Sequence, residues 1–285
     1  MLKYNPSYTL KNDQLNSVIM ETKTPSSYDI IGSREKAIAI IEIPDELQDR
    51  EKEIAKQIMS THKNVKSVLK KLSQRKDVFR TREYKLLMGN SDTEVIHIES
   101  GCKFKLDPTK VYFSGREGTE RLRISNQVKP RETIMLMFAG IGSFGIVIAK
   151  KQPQINKIIS VEINPIAFEY MKENIRLNRV QNKIISVLGD VKEKCRDWYG
   201  KCDRVIMPLP HEAWKFLDIT YKCLKSKNGI IHLYLIEREE DVENKVEKII
   251  DDFKKKTNIN MNYKIRKILS YAPRVNKYCV DIKLL

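Results

Sequence analysis

Three glycines spaced Gly140-x-Gly142-x-x-Gly145 follow an apolar run from Ile134 to Phe138, and a second apolar run, Ile158 to Val161, ends on the acid Glu162. Between the runs, Phe144 to Lys151 carries a helical pattern. The spacing predicts strand, tight turn, helix and strand, with a carboxylate at the second strand's tip. A glycine turn lets a ligand approach the backbone closely, and an acid in that place accepts hydrogen bonds from ribose hydroxyls. These residue types point to a nucleoside cofactor, and alone they fit NAD as well as S-adenosyl-L-methionine.

Three features favour S-adenosyl-L-methionine. Asp190 follows Gly189 at the end of a third predicted strand, Ile184 to Leu188, where an acid pairs with an adenine amino group. A fourth predicted strand, Arg204 to Met207, stops on Pro208-Leu209-Pro210, a turn that offers a flat face to a substrate base. No second nucleotide-binding half follows for a nicotinamide. Ligands of open α/β sheets bind at the carboxyl ends of the strands, where all of these residues fall.

The elements that must position them alternate. Asn164-Pro165 caps a predicted helix to about Asn178; His211 to Leu224 and Val242 to Phe253 read as helices, and Gly229 to Leu235 as a fifth strand. Two last strands, Tyr263 to Ser270 and Tyr278 to Leu284, can pair as a hairpin. The expected fold is α/β, a Rossmann-like sheet of the class I methyltransferase kind ending in an antiparallel pair. Ahead of it, residues 25–125 read as a small α+β unit. Tyr28 to Ile43 gives two strands around Gly32-Ser33, Pro44-Asp45 opens a helix to His62, and Val65 to Leu72 forms a strand or short helix. Strands follow at Thr93 to Glu99, Cys102 to Leu106 and Val111 to Phe113, and a helix begins near Arg116. Asn126 to Arg131 is the expected linker to a second domain, 126–285, and residues 1–24 form a short polar arm.

The net charge of +16 and pI near 9.5 point to a polyanionic partner, since a basic chain gains affinity for phosphate backbones by releasing counterions. Abundant Lys and Glu also accompany thermal adaptation. With no long apolar run and no leader-like segment, the expected setting is cytoplasmic. Five cysteines without CxxC spacing and four scattered histidines give no metal site. No apolar helix seam is evident, which favours a monomer.

In combination, FRTRE at Phe79 to Glu83, GCKFKLDPTKVYFS at Gly101 to Ser114, TER at Thr119 to Arg121, MFAGIGSFG, VEINP and Gly189-Asp190 resemble the archaeal and eukaryotic tRNA (guanine-37-N1)-methyltransferases. The resemblance runs from about Tyr28 to the C-terminus. It implies methyl transfer from S-adenosyl-L-methionine to N1 of the guanine 3′ of the tRNA anticodon, with the anticodon stem-loop as partner. By the matching positions, Arg80 would stabilise charge on guanine O6, Tyr112 would lie near cofactor and base, and Glu120 would be the general base. Glu162 would hold the ribose and Asp190 the adenine, with Phe138, Gly140, Gly142, Ile163 and Pro208 completing the cofactor site. Arg82, Arg116, Arg121 and Pro210 join Arg80 as substrate contacts, with either Arg80 or Arg82 facing the base. The chemistry is coherent: guanine N1 becomes a nucleophile as its proton leaves to a carboxylate, a guanidinium meets the charge on O6, and an activated methyl group needs placement above all.

Three departures stand out. Leu136 replaces the family's Asp before MFAG. The first 24 residues are too few for a folded tRNA-elbow domain. Pro208 replaces the Asn that offers an amide to the base in enzymes restricted to guanine N1. That last pattern resembles the archaeal wyosine-pathway branch, some of whose members also methylate carbon 7 of the tricyclic base 4-demethylwyosine. It implies action on both bases. Competing readings fit less well. A nucleic-acid amino-methyltransferase wants a polar residue and an aromatic around MPLPH, and a cytosine-C5 enzyme needs a pocket cysteine, for which Cys202 and Cys223 are poorly placed. A basic tRNA-binding protein with an inactive methyltransferase fold would bind tRNA but little cofactor.

Overall fold

The computed structural model describes residues 27–75, 78–225 and 228–285. The expected arm, 1–24, lies outside them. The amino-terminal part builds a four-stranded sheet from β1 (Tyr28–Gly32), β2 (Ala37–Ile41), β3 (Val65–Lys71) and β4 (Tyr84–Gly89), in that spatial order. β1 and β2 form the expected antiparallel hairpin. β2 and β3 are parallel, so the chain must cross over between them. It does so through a 3-10 turn, Asp45–Arg50, and helix α1 (Glu51–Thr61), which buries Ile54, Ala55 and Ile58 against the sheet.

A separate hairpin, β5 (Val95–Glu99) and β6 (Cys102–Leu106), leads to α2 (Gly118–Gln127). The expected strand at Val111 to Phe113 does not form. Val111 and Phe113 are buried in alternation as a strand would bury them, but no neighbouring strand offers them a ladder. The Asp107 carbonyl instead accepts the Lys110 and Val111 amides, curling the segment. α2 also runs two residues into the expected linker.

The remaining strands are β7 (Thr133–Leu136), β8 (Lys157–Glu162), β9 (Ile184–Leu188), β10 (Arg204–Met207), β11 (Ile230–Arg238), β12 (Met261–Ala272) and β13 (Val275–Leu284). They form one sheet in the order β12-β13-β11-β10-β7-β8-β9, parallel from β11 to β9 and closed by the antiparallel β13 and β12. Numbered within the sheet this is 3-2-1-4-5-7-6, the expected Rossmann-like methyltransferase arrangement. Its helices are α3 (Ser143–Lys151), α4 (Pro165–Leu177), α5 (Val191–Lys194), α6 (Leu217–Cys223) and α7 (Val242–Thr257).

Strand alternation sorts the core into two layers. Ile134 and Leu136 face α3 and α4, while Met135 and Val205 face α6 and α7. The first layer also takes in Phe104, Leu106, Val111 and Ile124, so the β5–β6 hairpin and α2 share the sheet's own core. Two asparagines lock that junction: Asn174 of α4 and Asn178, which caps its end, exchange hydrogen bonds with the backbone of Lys105 and Lys103. The strand order reverses between β7 and β10, where diverging connections leave a crevice at the carboxyl ends. The helix expected from His211 is shorter, because Glu212 adopts a left-handed φ of 62° and a 3-10 turn, Ala213–Phe216, precedes α6. Among the described residues no helix is long and apolar enough to cross a membrane.

Candidate active site

At that crevice the three glycines do different work. Gly142 has φ of 84° as it enters α3, and a Cβ there would lie 2.9 Å from Met171. Gly145 brings α3 against the sheet: a Cβ would sit 3.2 Å from Ser160 Oγ. At Gly140 a Cβ would meet nothing within 4 Å, so this backbone borders open space. Glu162, at the tip of β8, fixes the turn from the other side, accepting the Gly140 amide at 2.6 Å and the Asn164 amide at 2.8 Å. Burial pushes its carboxyl up, against the pull of these amides.

A cavity of about 640 Å³ opens over this turn. Its floor holds Phe138, Gly140, Glu162, Ile163, Asp190 and Pro208, from the ends of β7, β8, β9 and β10. Asp190 caps α5 with one oxygen, which accepts the Lys192 amide at 2.8 Å, and Asp190 also faces the cavity. The donor set suits a nucleoside: a carboxylate for vicinal hydroxyls, a second acid for an amino group, and apolar Ile163 and Phe138 for a flat ring. Gly142 shapes the turn without lining the cavity. Leu136 is fully buried in the core and takes no part.

The opposite wall comes from the β3–β4 connection, the segment before α2 and the first turn of α2: Arg75, Phe79, Arg80, Tyr112, Glu117 and Arg121. Arg80 has a left-handed φ of 56°, held in part by Arg75, whose Nη1 donates to the Arg80 carbonyl at 3.2 Å. Both guanidiniums lie against the Tyr112 ring, 4.1 Å from its centroid for Arg75 and 5.3 Å for Arg80. Arg80 Nε and Nη1 are buried with no hydrogen-bond partner among the described residues. Unspent donors on a cationic fork beside a cavity are a site for an anionic oxygen.

A second, polar cleft of about 310 Å³ shares Arg80, Tyr112, Glu117 and Pro210 with the first and adds Lys71, Arg82 and Arg116. Arg80 thus borders both spaces, whereas Arg82 borders only the cleft. Arg116 also lies only in the cleft, paired with Asp29 at 2.6 Å. Pro210 and Pro208 both line the cavity. Arg121 reaches the cavity wall, but its guanidinium is spent on Glu99 and the Ser114 carbonyl, so it is a structural strut more than a free substrate contact.

Glu120, the general base that the resemblance implies, stands apart from these residues. It does not line the cavity; it is 3% exposed, with its carboxylate taken by Arg123 and the Tyr234 hydroxyl. Arg123 continues to Asp281, which also binds His232. The carboxylate on the cavity side is Glu117, three residues earlier and just ahead of α2. It accepts the Tyr112 hydroxyl at 2.9 Å and lies 2.8 Å from Lys277 Nζ of β13, an ion pair by distance whose angle falls short of a hydrogen bond. Burial pushes the Glu117 carboxyl up, but Lys277, with Arg121 and Tyr112, brings it below its ordinary value. Burial, then the charge of Glu117, pushes the Tyr112 phenol far up. Sequence reasoning missed Glu117, Lys277 and Arg75. The signal for Glu117 was present in REGTER, where two acids three residues apart compete for one helix face, but only the helix start decides between them.

Known proteins resemble this chain over most of its length. Residues 95–264 match the TRM5/TYW2 methyltransferase domain, and residues 12–93 match the TYW2 N-terminal domain. The tRNA (guanine(37)-N(1))-methyltransferase Trm5b of Pyrococcus abyssi is 39% identical over 261 residues, 91% of this chain and 75% of the relative. Its crystal structure superposes with a TM-score of 0.81, covering 99% of this chain and 82% of that one. The tRNA (guanine(37)-N(1))/4-demethylwyosine(37)-methyltransferase Taw22 of Nanoarchaeum equitans is 31% identical, over 89% of this chain and all of the relative. M. jannaschii TYW2, solved in complex with AdoMet, is 30% identical with a TM-score of 0.68, covering 90% of this chain and 99% of that one.

Proposed function

The chain belongs to the TRM5/TYW2 methyltransferase family, and from that premise we propose that it is an S-adenosylmethionine-dependent tRNA methyltransferase acting at position 37. It methylates N1 of guanosine 37 and also C7 of 4-demethylwyosine, as the activities for which its relatives are named suggest. The observation that carries the reading is a single cavity joining the nucleoside floor at Gly140, Glu162 and Asp190 to the guanidinium wall at Arg80.

S-adenosylmethionine supplies a methyl group already activated on a sulfonium sulfur. Glu162, both of whose oxygens are aimed by backbone amides, keeps lone pairs for ribose hydroxyls. Asp190 takes the adenine amino group. Arg80 meets the guanine O6, where negative charge gathers as the N1 proton leaves, and its two unpartnered N–H groups need no reorganisation to do so. Tyr112 and the half-exposed Phe79 flank the space as flat surfaces for the base. Glu120 takes the N1 proton in this proposal, after exchanging Arg123 for the base. Arg123 is the more exposed partner and has Asp281 as a second anion. For a ring carbon the base supplies the electrons itself and loses its proton afterwards, so the Pro208 turn, with a flat face and no amide, suffices. The anticodon stem-loop reaches the site across the cleft of Lys71, Arg82 and Arg116, and the protein acts as a monomer.

Incubation with methyl-labelled cofactor and tRNA-Phe bearing guanosine 37 or 4-demethylwyosine 37, followed by nucleoside mass spectrometry, tests this reading. A methyl increment on both bases is expected. Label on guanosine alone removes the second activity, and label on neither removes the proposal.

A further inference from the structure

Glu117, in the wall of the cavity, and Lys277, in the wall of the adjoining cleft, form an ion pair whose side chains are only 5% and 3% exposed. A buried pair of this kind adds little stability over apolar residues of the same size, because desolvation offsets the attraction. Its position is therefore the more informative fact. Glu117 lines both the cavity and the adjoining cleft, as do Arg75, Arg80 and Tyr112.

The cations around Glu117 are unequal. Arg121, in the helix that Glu117 precedes, is saturated by Glu99 and the Ser114 carbonyl. Arg75 spends Nη1 on the Arg80 carbonyl. Arg80 alone among these arginines has two buried N–H groups without a partner. An ionised Glu117 deprived of Lys277 shares both the cavity and the cleft with Arg80, whose N–H groups are unpartnered, and pairing them would quench the charge that the substrate oxygen needs.

We propose that Lys277 is a positioning residue for methyl transfer: by holding Glu117 it keeps the carboxylate on the Tyr112 hydroxyl and leaves the Arg80 guanidinium free for the substrate base. This rests on the methyltransferase reading, in which Arg80 meets the base. The ion pair ties three distant segments together, since Lys277 comes from β13, Glu117 from the start of α2 and Tyr112 from the connection after β6. The Lys277 ammonium also lies 5.1 Å from the Tyr234 ring centroid, which leaves Glu117 as its anionic partner on this side.

The test compares the wild type with Lys277→Met, Lys277→Arg and the double variant Lys277→Met/Glu117→Gln, using a tRNA-Phe transcript with guanosine 37 between pH 6 and 9. Lys277→Met should lose about 10- to 100-fold in kcat at pH 8, less than the roughly 10²- to 10³-fold for outright removal of a transition-state donor, because Arg80 is diverted and not deleted. Its affinity for S-adenosylmethionine should stay unchanged, which controls for folding. The deficit should narrow as pH falls, because burial raises the unpaired Glu117 carboxyl and protonation frees Arg80. Lys277→Arg should retain activity, and the double variant should recover most of it without the pH effect. His211, whose imidazole is lowered first by burial and then by Arg80 and Lys277, titrates in every variant and so is controlled by the double one. A second readout needs no turnover: the rate at which phenylglyoxal modifies Arg80, mapped by peptide mass spectrometry, should fall in Lys277→Met and return in the double variant. Unchanged Arg80 reactivity, or a loss of kcat that is constant with pH and not relieved by Glu117→Gln, overturns the proposal. A wild type that methylates no tRNA overturns the functional reading, while the phenylglyoxal rates still decide whether Lys277 frees Arg80.

Discussion

Glu162 Oε2 accepts the Gly140 amide at 2.6 Å across the gap between two parallel strands, so the acid that is to hold a ribose also sets the shape of the turn beneath it. One side chain thus couples cofactor recognition to the pre-formed turn. Burial raises its carboxyl above the ordinary value, while binding of ribose hydroxyls needs the ionised form.

Two expectations follow for Glu162. Replacement by Gln should weaken S-adenosylmethionine binding by about 10- to 100-fold, the range for hydrogen bonds to a charged group, as read by calorimetry. In the wild type, affinity should fall as pH drops through the raised carboxyl's titration, beginning above the range of an ordinary Glu. Affinity that is flat down to pH 4.5 would remove the ionised acid from recognition.

Arg80 and Arg82 should separate kinetically. Arg80 borders the cavity and Arg82 only the cleft, so Arg80→Ala should lower kcat by about 10²- to 10³-fold. Arg82→Ala should act mainly on the KM for tRNA and reduce the salt dependence of binding. Equal losses of kcat in both would show that the cavity boundary does not divide their roles.

The strands of the sheet, its antiparallel ending and the acids at its strand tips were legible in the sequence because each rests on local pattern: alternation, glycine spacing and an Asn-Pro cap. Glu162, Asp190 and Pro208 fall where strand ends put them. The opposite wall was legible only through resemblance, since FRTRE has no periodicity that tells which arginine turns inward. Glu120 shows the limit most clearly. Its spacing marks an acid on α2, but its orientation depends on Tyr234 and Asp281, more than a hundred residues away. Lys277 carried no signal at all, being one lysine among many until β13 is docked beside α2.

The Pro208 turn should govern the choice of base. A proline presents no N–H to the base, whereas an asparagine adds an amide donor and acceptor. Pro208→Asn should raise N1 methylation of guanosine 37 relative to C7 methylation of 4-demethylwyosine by about 2- to 10-fold, the value of one added hydrogen bond. The ratio of the two products in a competition assay checks this, and an unchanged ratio would place base selection elsewhere.

The buried network beyond Glu120 should set the acid limit of stability. Asp281 is held well below the usual carboxylate range: burial opposes ionisation, and His232 and Arg123 outweigh it. A depressed carboxyl contributes stability that is present above its unfolded value and lost as pH falls through the folded one. His232 is fully buried, and burial lowers its imidazole despite the Asp281 contact. Unfolding lets it take up a proton below about 6.5, so its contribution is also lost as pH falls. Both groups therefore act in the same direction, and thermal stability should decline from about pH 6.5 downward. Asp281→Asn should cost about 3 to 5 kcal/mol by leaving Arg123 with Glu120 alone and removing the anion from beside His232 and Arg266, and should flatten that acid decline in a melting series. Glu120→Gln breaks the same network at its Tyr234 end. It should lower the melting temperature and, if Glu120 takes the N1 proton, reduce guanosine methylation by about 10²- to 10⁴-fold while methylation of the tricyclic carbon falls less. A parallel loss on both bases would confine Glu120 to the structural role in which Arg123 and Tyr234 hold it.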